Sequence, residues 1–473
     1  MASGADPLPR VSPPTWRHER ELFVLAAVVA VAYSAYGLFR HWHFNSSAYD
    51  LGIFDQTIWH LSRFEIPSST VRGYSNMLGD HFFPILGVLA PLYWIAPAPE
   101  ALIVAQAVLL AASIVPVWIF ARRRLPRGAT YAIAAACALF WGMQHAMAFD
   151  FHEVAFAPLA VGVAIVALDD RRWLLFWAMA AVLIVTKEDL IPLIGGFGLL
   201  LLWRGDRRQG FAAIAVSCLA LAVVIGFLIP AMNDSGEFVY RSAYADIVAR
   251  PWMVPVALVT PVVKLRTTLL IFAAFLFLPL ASPLAILILP LAVERFLSSN
   301  PTHWGTVFHY WAPAAPIAAM AAADGLARIA RGAAKVSRSG RAPRYLVPAC
   351  ATGCLALSAV LPGHQPLWRV LRAEHYRSSR ADEVGATVLD MIPSDAVVVA
   401  QAALVPHLSH RDRLFVLDEA APDADFIVAA EQLDPWPIAS HEAMRALVDA
   451  RRRSGYTTVF DRDGWILLQR AAR

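Results

Sequence analysis

The chain has 473 residues, 58% of them hydrophobic and 16% charged, with a net charge of +4. Soluble domains carry about 25% charged residues, so this composition excludes an ordinary soluble protein and predicts a polytopic α-helical membrane protein. The positive excess needs no nucleic-acid partner, because the arginines flank apolar runs, where the positive-inside rule expects them.

Residues 1–20 hold Arg10, Arg17 and Arg20 and are expected in the cytoplasm. The first apolar run, about 22–39, lacks a small-residue cleavage site and reads as a retained span, not a signal peptide. A long connection, 41–99, follows and opens HWHFNSSAYDLGIFDQ. The next basic cluster is Arg122, Arg123, Arg124 and Arg127. If that cluster is inside, only one crossing fits before it, and the best is 101–121. The apolar stretch His81–Ala96, with prolines at 84, 91 and 97, is then re-entrant or lies along the outer surface. A true crossing there is the alternative and would put the cluster outside.

Alternation then gives spans at roughly 128–144, 154–168, 173–186, 190–203, 211–231, 267–281, 283–297, 311–329 and 345–361, about eleven in all. Runs such as Ala101–Ala121 and Phe211–Ala231 are uncharged over about 20 residues, enough to cross a hydrocarbon core. Inside connections hold Arg171 and Arg172; Arg204, Arg207 and Arg208; and Arg331, Lys335, Arg338, Arg341 and Arg344. Outside connections hold FDFHE (149–153), KED (187–189), 233–250 and 298–310. The transmembrane domain is therefore 21–361. The four cysteines, Cys137, Cys218, Cys350 and Cys354, all fall inside apolar spans and form no disulfide framework.

The tail, about 362–473, is polar, and parity places it outside. AVVVA (396–400), RLFVL (413–417) and DFIVAA (425–430) read as short strands. Residues 440–455 read as a helix with Ser440 as N-cap and Gly455 as stop. YTTVFDRDGWILLQR reads as a hairpin turning at Arg462–Gly464. A small α/β domain results.

The chemistry-bearing residues gather in the outside connections. The first holds Asp50, Asp55, Asp80 and His81. A solvated acidic loop is the plain explanation, but Tyr49–Gln56 is mostly apolar, and an acid beside hydrocarbon is costly unless used or paired. Asp50 and Asp55 are the candidate catalytic carboxylates, with Asp50 the nearer to span one. In FDFHEV, Asp150 and Glu153 share a helical face, whereas Asp150 and His152 share one side of an extended chain. Asp150, His152, Glu153, His81 and Asp80 are candidate ligands for Mg²⁺ or Mn²⁺, which suit carboxylate-rich sets. An interfacial hydrogen-bonded network is the other explanation. Lys187 offers a point charge for a phosphate, or it and Glu188 neutralise each other. His303, His309 and Tyr310 close the set, the last two standing where interfacial anchors also occur. GxSxG, GxxxxGK[ST], HExxH and dinucleotide glycine patterns are absent from the sequence.

At YDLGIFDQTIW (49–59) the chain resembles a bacterial and archaeal family of polytopic membrane proteins, domain of unknown function 2079. The resemblance continues through LGDHFFPIL (78–86), FDFHEVAFAP (149–158), LIVTKEDL (183–190), FHYWAPAAP (308–316) and ALVPHLSHRDRLFVL (403–417). The layout is also similar to membrane glycosyltransferases of the GT-C class, although no WWD signature is present. That similarity implies a polyprenyl-phosphate sugar donor in the membrane lipid, an acceptor that is an envelope glycan, lipid or protein, and a bacterial plasma-membrane location. It implies Asp50 as the first-loop acid, Asp150 and Glu153 as second-loop acids, and Lys187 as a phosphate contact. A transporter or lipid flippase, and a scaffold whose outer domain binds a partner, stay open as alternatives.

Overall fold

Helix α1, Arg20–Trp42, is 23 residues long, about 35 Å at 1.5 Å per residue. Only 28% of its most apolar stretch is buried, against 61% in the helix Pro99–Arg122, so α1 is peripheral and the second helix central. The computed structural model describes residues 19–336, 342–363 and 365–471; Arg10, Arg17, Arg338 and Arg341 lie outside the described residues. After α1 comes α2 (Ile53–Ser62), entered through a π-helical turn, Ala48–Gly52. Helices α3 (Pro99–Ala112) and α4 (Ile114–Arg122) run on as one rod. Then follow α5 (Arg127–Leu139), α6 (Trp141–Ala148), α7 (Phe156–Asp169), α8 (Trp173–Thr186), α9 (Ile191–Trp203) and α10 (Arg207–Val223). Among the described residues three helices are long and apolar enough to span a bilayer, Arg20–Trp42, Pro99–Arg122 and Arg207–Met232. The bent pair Pro251–Ala257 and Val262–Ala273 makes four if counted as one span.

The stretch expected as a helix over 267–281 is interrupted. Its α-helix stops at Ala273, and Leu276 and Phe277 take φ of 55° and 57°. Pro279 and Pro283 follow; each removes a helical N–H and clashes with the preceding turn. Short 3-10 turns therefore join it to the helix Ile288–Leu297. The stretch His81–Ala96 is a 3-10 helix over Pro84–Trp94. Both its ends bond to acid-rich connections. The Phe82 N–H donates to Glu188 at 2.9 Å, and the Tyr93 hydroxyl to Asp55.

Charge divides the molecule into two ends. At one end the basic connections meet: Arg124 bonds Asp169 at 2.8 Å and lies 3.5 Å from Asp324, while Arg123 bonds Asp170 at 2.9 Å. At the other, the first connection, FDFHE, KED and 298–310 converge, and the tail docks there. The tail sheet has the order β2-β1-β3-β5-β4, with β1 Val398–Ala400, β2 Leu414–Val416, β3 Phe426–Ala430, β4 Tyr456–Arg462 and β5 Trp465–Arg470. The β1 pairs are parallel, and the β3–β5 and β4–β5 pairs antiparallel. Period-two alternation sends Ile466 and Leu468 toward the helix His441–Arg453, and Trp465 and Leu467 toward the main core. Trp465 meets Phe44 of the first connection edge to face, 5.2 Å between ring centres.

Two glycines, Gly52 and Gly79, stand at close approaches. A β-carbon on Gly52 would come within 2.8 Å of Val405 of the tail, and one on Gly79 within 2.3 Å of the Met232 carbonyl. Only glycine lets these backbones approach so closely.

Candidate active site

The FDFHE turn is set by one buried glutamine. Gln106 of α3 donates to the Asp150 carbonyl at 2.6 Å and accepts from the His152 N–H at 2.9 Å. Asp150 takes φ of 61°, a left-handed conformation that Asp tolerates better than most residues. Its carboxylate pairs with Arg40 at the end of α1 and accepts from the Ser47 N–H at 2.8 Å. The turn thus aims His152 at Asp50, with Nε2 3.1 Å from Oδ1. The π turn supplies the other half, because it sets Asp50 on the inner side of α2's entry. On its far face His152 stacks on His309, ring centres 3.7 Å apart.

KED contributes three ion pairs. Lys187 Nζ lies 2.7 Å from Glu153, and Glu188 holds His81 Nδ1. Asp189 faces the buried Arg295 at 3.7 Å. Asp80 accepts from Arg72 Nε at 3.0 Å and from the Tyr240 hydroxyl at 2.8 Å. Tyr240 in turn stacks on His81. These groups enclose a cavity of about 230 Å³ whose wall includes Asp50, Arg72, Asp80, His81, His152 and Lys187. Aromatic rings of Tyr49, Tyr240, Tyr310 and Phe149 complete it, with His309 beside them.

Among the sequence candidates, Asp50, Asp80, His81, His152, Lys187, His309 and Tyr310 line this cavity. Asp150, Glu153 and Glu188 stand behind them, each on a cationic or histidine partner. His303 packs against Tyr310, ring centres 4.4 Å apart. Asp55 lies elsewhere: it is fully buried, accepts from Tyr93 and Ser409, and has His410 beside it.

The five expected metal ligands do not converge. Among the described residues no three of their ligand atoms come within 4.8 Å of one another. Arg40, Lys187 and Arg72 already neutralise Asp150, Glu153 and Asp80, so Mg²⁺ or Mn²⁺ would have to displace a cation from each. Arg40, Arg72, Tyr240 and Arg295 were not among the residues singled out. Arg72 left only a weak signal, as one of two arginines, with Arg63, in a connection otherwise rich in acids.

Burial would raise the Glu188 carboxyl, but His81 and Lys187 outweigh it and bring it down to about 2. Burial would lower His81, yet Glu188 and Asp80 hold it above its ordinary value. Lys187 is likewise held well up, against burial, by Glu153, Asp189 and Glu188. Burial pushes Asp150 up, and Arg40 offsets this only in part. His309 is driven well down by burial and then by His152 and Lys187, so its ring is neutral. The cavity therefore holds Asp50 together with Lys187 and Arg72, each cation resting on its own carboxylate, Glu153 and Asp80.

The architecture matches a known class of membrane protein. The fold is similar to the crystal structure of ArnT from Cupriavidus metallidurans bound to undecaprenyl phosphate, with a TM-score of 0.58, 12% identity, and coverage of 95% of this chain and 98% of that one. This is the fold likeness that the GT-C resemblance implied. The chain itself belongs to the predicted membrane protein family DUF2079, which matches residues 40–467. No curated protein matches it by sequence.

Proposed function

We propose that this protein is a membrane glycosyltransferase that takes sugar from a polyprenyl-phosphate-linked donor at the outer face of the bacterial plasma membrane. The observation that carries the reading is the cavity that Asp50, Arg72 and Lys187 all line. Asp50 is the base: it takes the proton of an acceptor hydroxyl as that oxygen bonds to the sugar's anomeric carbon. The bond from that carbon to the phosphate oxygen breaks, and polyprenyl phosphate leaves. Arg72 and Lys187 stabilise the charge that grows on the leaving phosphate. His152 holds Asp50 in place through its 3.1 Å bond.

An apolar groove of about 730 Å³ supports the lipid part of this reading. Trp42, Leu89, Leu92, Val104 and Val108 line it, along the same 3-10 stretch that follows Phe83 at the polar cavity. That the similar structure of ArnT is bound to undecaprenyl phosphate points the same way. In this reading the acid-histidine end is extracytoplasmic, about eleven spans run between the two ends, and the tail from 362 is an external α/β domain. The acceptor is an envelope glycan, lipid or protein.

The test is analysis of envelope glycans and lipid-linked sugars in a deletion strain carrying either the wild type or Asp50→Asn. Loss of one sugar modification, restored by the wild type alone, is the expected result. An unchanged glycan profile with altered lipid distribution between leaflets would replace transfer by flipping.

A further inference from the structure

Helix α2 has a polar edge that does not face the cavity, and a segment of the tail lies along it. Ser409 donates to Asp55, and His410 Nε2 lies 3.0 Å from the same carboxylate. The Arg411 carbonyl accepts from Gln56 at 2.8 Å. Thr70 donates to the Leu414 carbonyl at 2.7 Å and accepts from its N–H at 3.0 Å. Asp412 sits in the middle of this seam, beside the end of α2. There the chain turns back: the His60 carbonyl accepts from both the Arg63 and Glu65 N–H groups at 3.0 Å. This return brings the Glu65 carboxylate to 2.9 Å from His60 Nδ1. The His60 ring is buried at 6% exposure and fixed against Trp59, 4.9 Å between ring centres. One ligand atom each from His60, Glu65 and Asp412 lies within 4.8 Å of the other two, the one such grouping among the described residues.

We propose that His60, Glu65 and Asp412 form a Zn²⁺ site that clamps the tail to the first connection. One imidazole and two carboxylates match the borderline character of Zn²⁺, at bonds of about 2.0–2.2 Å, with a water in the fourth position. Ca²⁺ and Mg²⁺ take six or more oxygen-type ligands, and an imidazole serves them poorly. Two of the ligands are preorganised on one turn. The third comes from the docked segment and is exposed, so its carboxylate can swing onto the metal without repacking. Zn²⁺ would take the place of the hydrogen bond between His60 Nδ1 and Glu65, with the imidazole proton carried on Nε2. Arg63 Nη2, 3.0 Å from Glu65 Oε1, then holds the oxygen that the metal does not use. The site stands apart from the transfer reading and does not depend on it.

The test uses the full chain in lipid nanodiscs, stripped with chelator and titrated with Zn²⁺ by equilibrium dialysis. The wild type should show one saturable site. Asp412→Asn should weaken it at least tenfold, and His60→Gln should do the same. Because Asp412 is exposed, its substitution should leave the chelator-treated melting curve unchanged, so Asp412→Asn decides the matter even if His60→Gln misfolds. Zn²⁺ should also slow hydrogen exchange across 409–414 in the wild type and not in Asp412→Asn. No saturable Zn²⁺ binding by the wild type, or equal affinity in Asp412→Asn, overturns the proposal.

Discussion

Asp50 keeps one side of its carboxylate open: its side chain is 14% exposed, and His152 bonds one oxygen. Asp55, one and a half helical turns on, is fully buried, with both oxygens engaged. Asp50→Asn should therefore abolish complementation of the deletion strain at normal membrane abundance, since it keeps the shape and removes the base. Asp55→Asn should instead cost about 1–3 kcal/mol of stability through unmatched hydrogen bonds and leave turnover per folded molecule intact. Full complementation by Asp50→Asn would sink the catalytic role. Lys187 needs a paired design, because Glu153 is buried beside it. Lys187→Met alone should destabilise by about 3–5 kcal/mol, the cost of a stranded buried charge. Adding Glu153→Gln should recover the melting temperature but not activity. Recovery of both would make Lys187 purely structural. At this scale the sequence revealed the acids and histidines, because each is an expensive group in an apolar setting. It hid Arg40, since an arginine at a span end reads as an inside anchor. It hid Tyr240 and Arg295 too, because neither stands in a motif and their relevance comes only from contacts made across the fold.

The 3-10 stretch Pro84–Trp94 is pinned at its start by the Glu188–His81 pair and the Phe82 N–H. The His81 pKa is raised above 6.5 by the fold, so its contribution is full below that value and fades as pH rises through the raised one. The Glu188 pKa is lowered from 4.5 to about 2, so its contribution is full above 4.5 and fades as pH falls toward 2. Protection of the Phe82 amide, corrected for intrinsic exchange, should therefore peak between pH 4.5 and 6.5. Flat protection from pH 4 to 9 would show that backbone packing, not the ion pair, holds this stretch. Three tail strands were legible as short apolar runs and the last two as a hairpin about its turn residues, and the helix His441–Arg453 from its Ser440 cap. The helix Arg380–Asp390 was not, although Ser379 and Asp382 form a capping box in front of it. Few apolar residues follow that box, and its burial against Trp465 is a tertiary contact. The broken helix after Ala273 shows the reverse case: hydropathy saw one continuous run, while the prolines within it decide the backbone.

The two ends of the molecule differ in chemistry as a whole. Arginine–aspartate pairs close one end, and histidines, tyrosines and mixed ion pairs fill the other. The four-way agreement of basic clusters was readable because the positive-inside rule acts on composition alone. How the opposite connections would meet was not, since it depends on pairings more than 100 residues apart, such as His152 with Asp50 and His81 with Glu188. Topology follows as a prediction. In a cysteine-free background, Glu442→Cys should react with an impermeant maleimide on intact cells, and Gly332→Cys only after permeabilisation. The opposite pattern would invert the orientation and move the cavity to the cytosol.

The partners of Asp55 carry a consequence for how the chain is made. Ser409 stands 354 residues downstream of it, so during translation this carboxylate waits for a partner made long after it. Until that segment emerges, the first connection has no latch along α2, and the wall that holds Asp50 is unsupported on that side. A ribosome-stalled or C-terminally truncated product would thus carry every apolar helix and every cavity residue and still lack a finished site. Emergence of the segment around Ser409 becomes the event that finishes the site. A cell that degrades molecules with an unlatched first connection would remove incomplete copies without inspecting the membrane-embedded part.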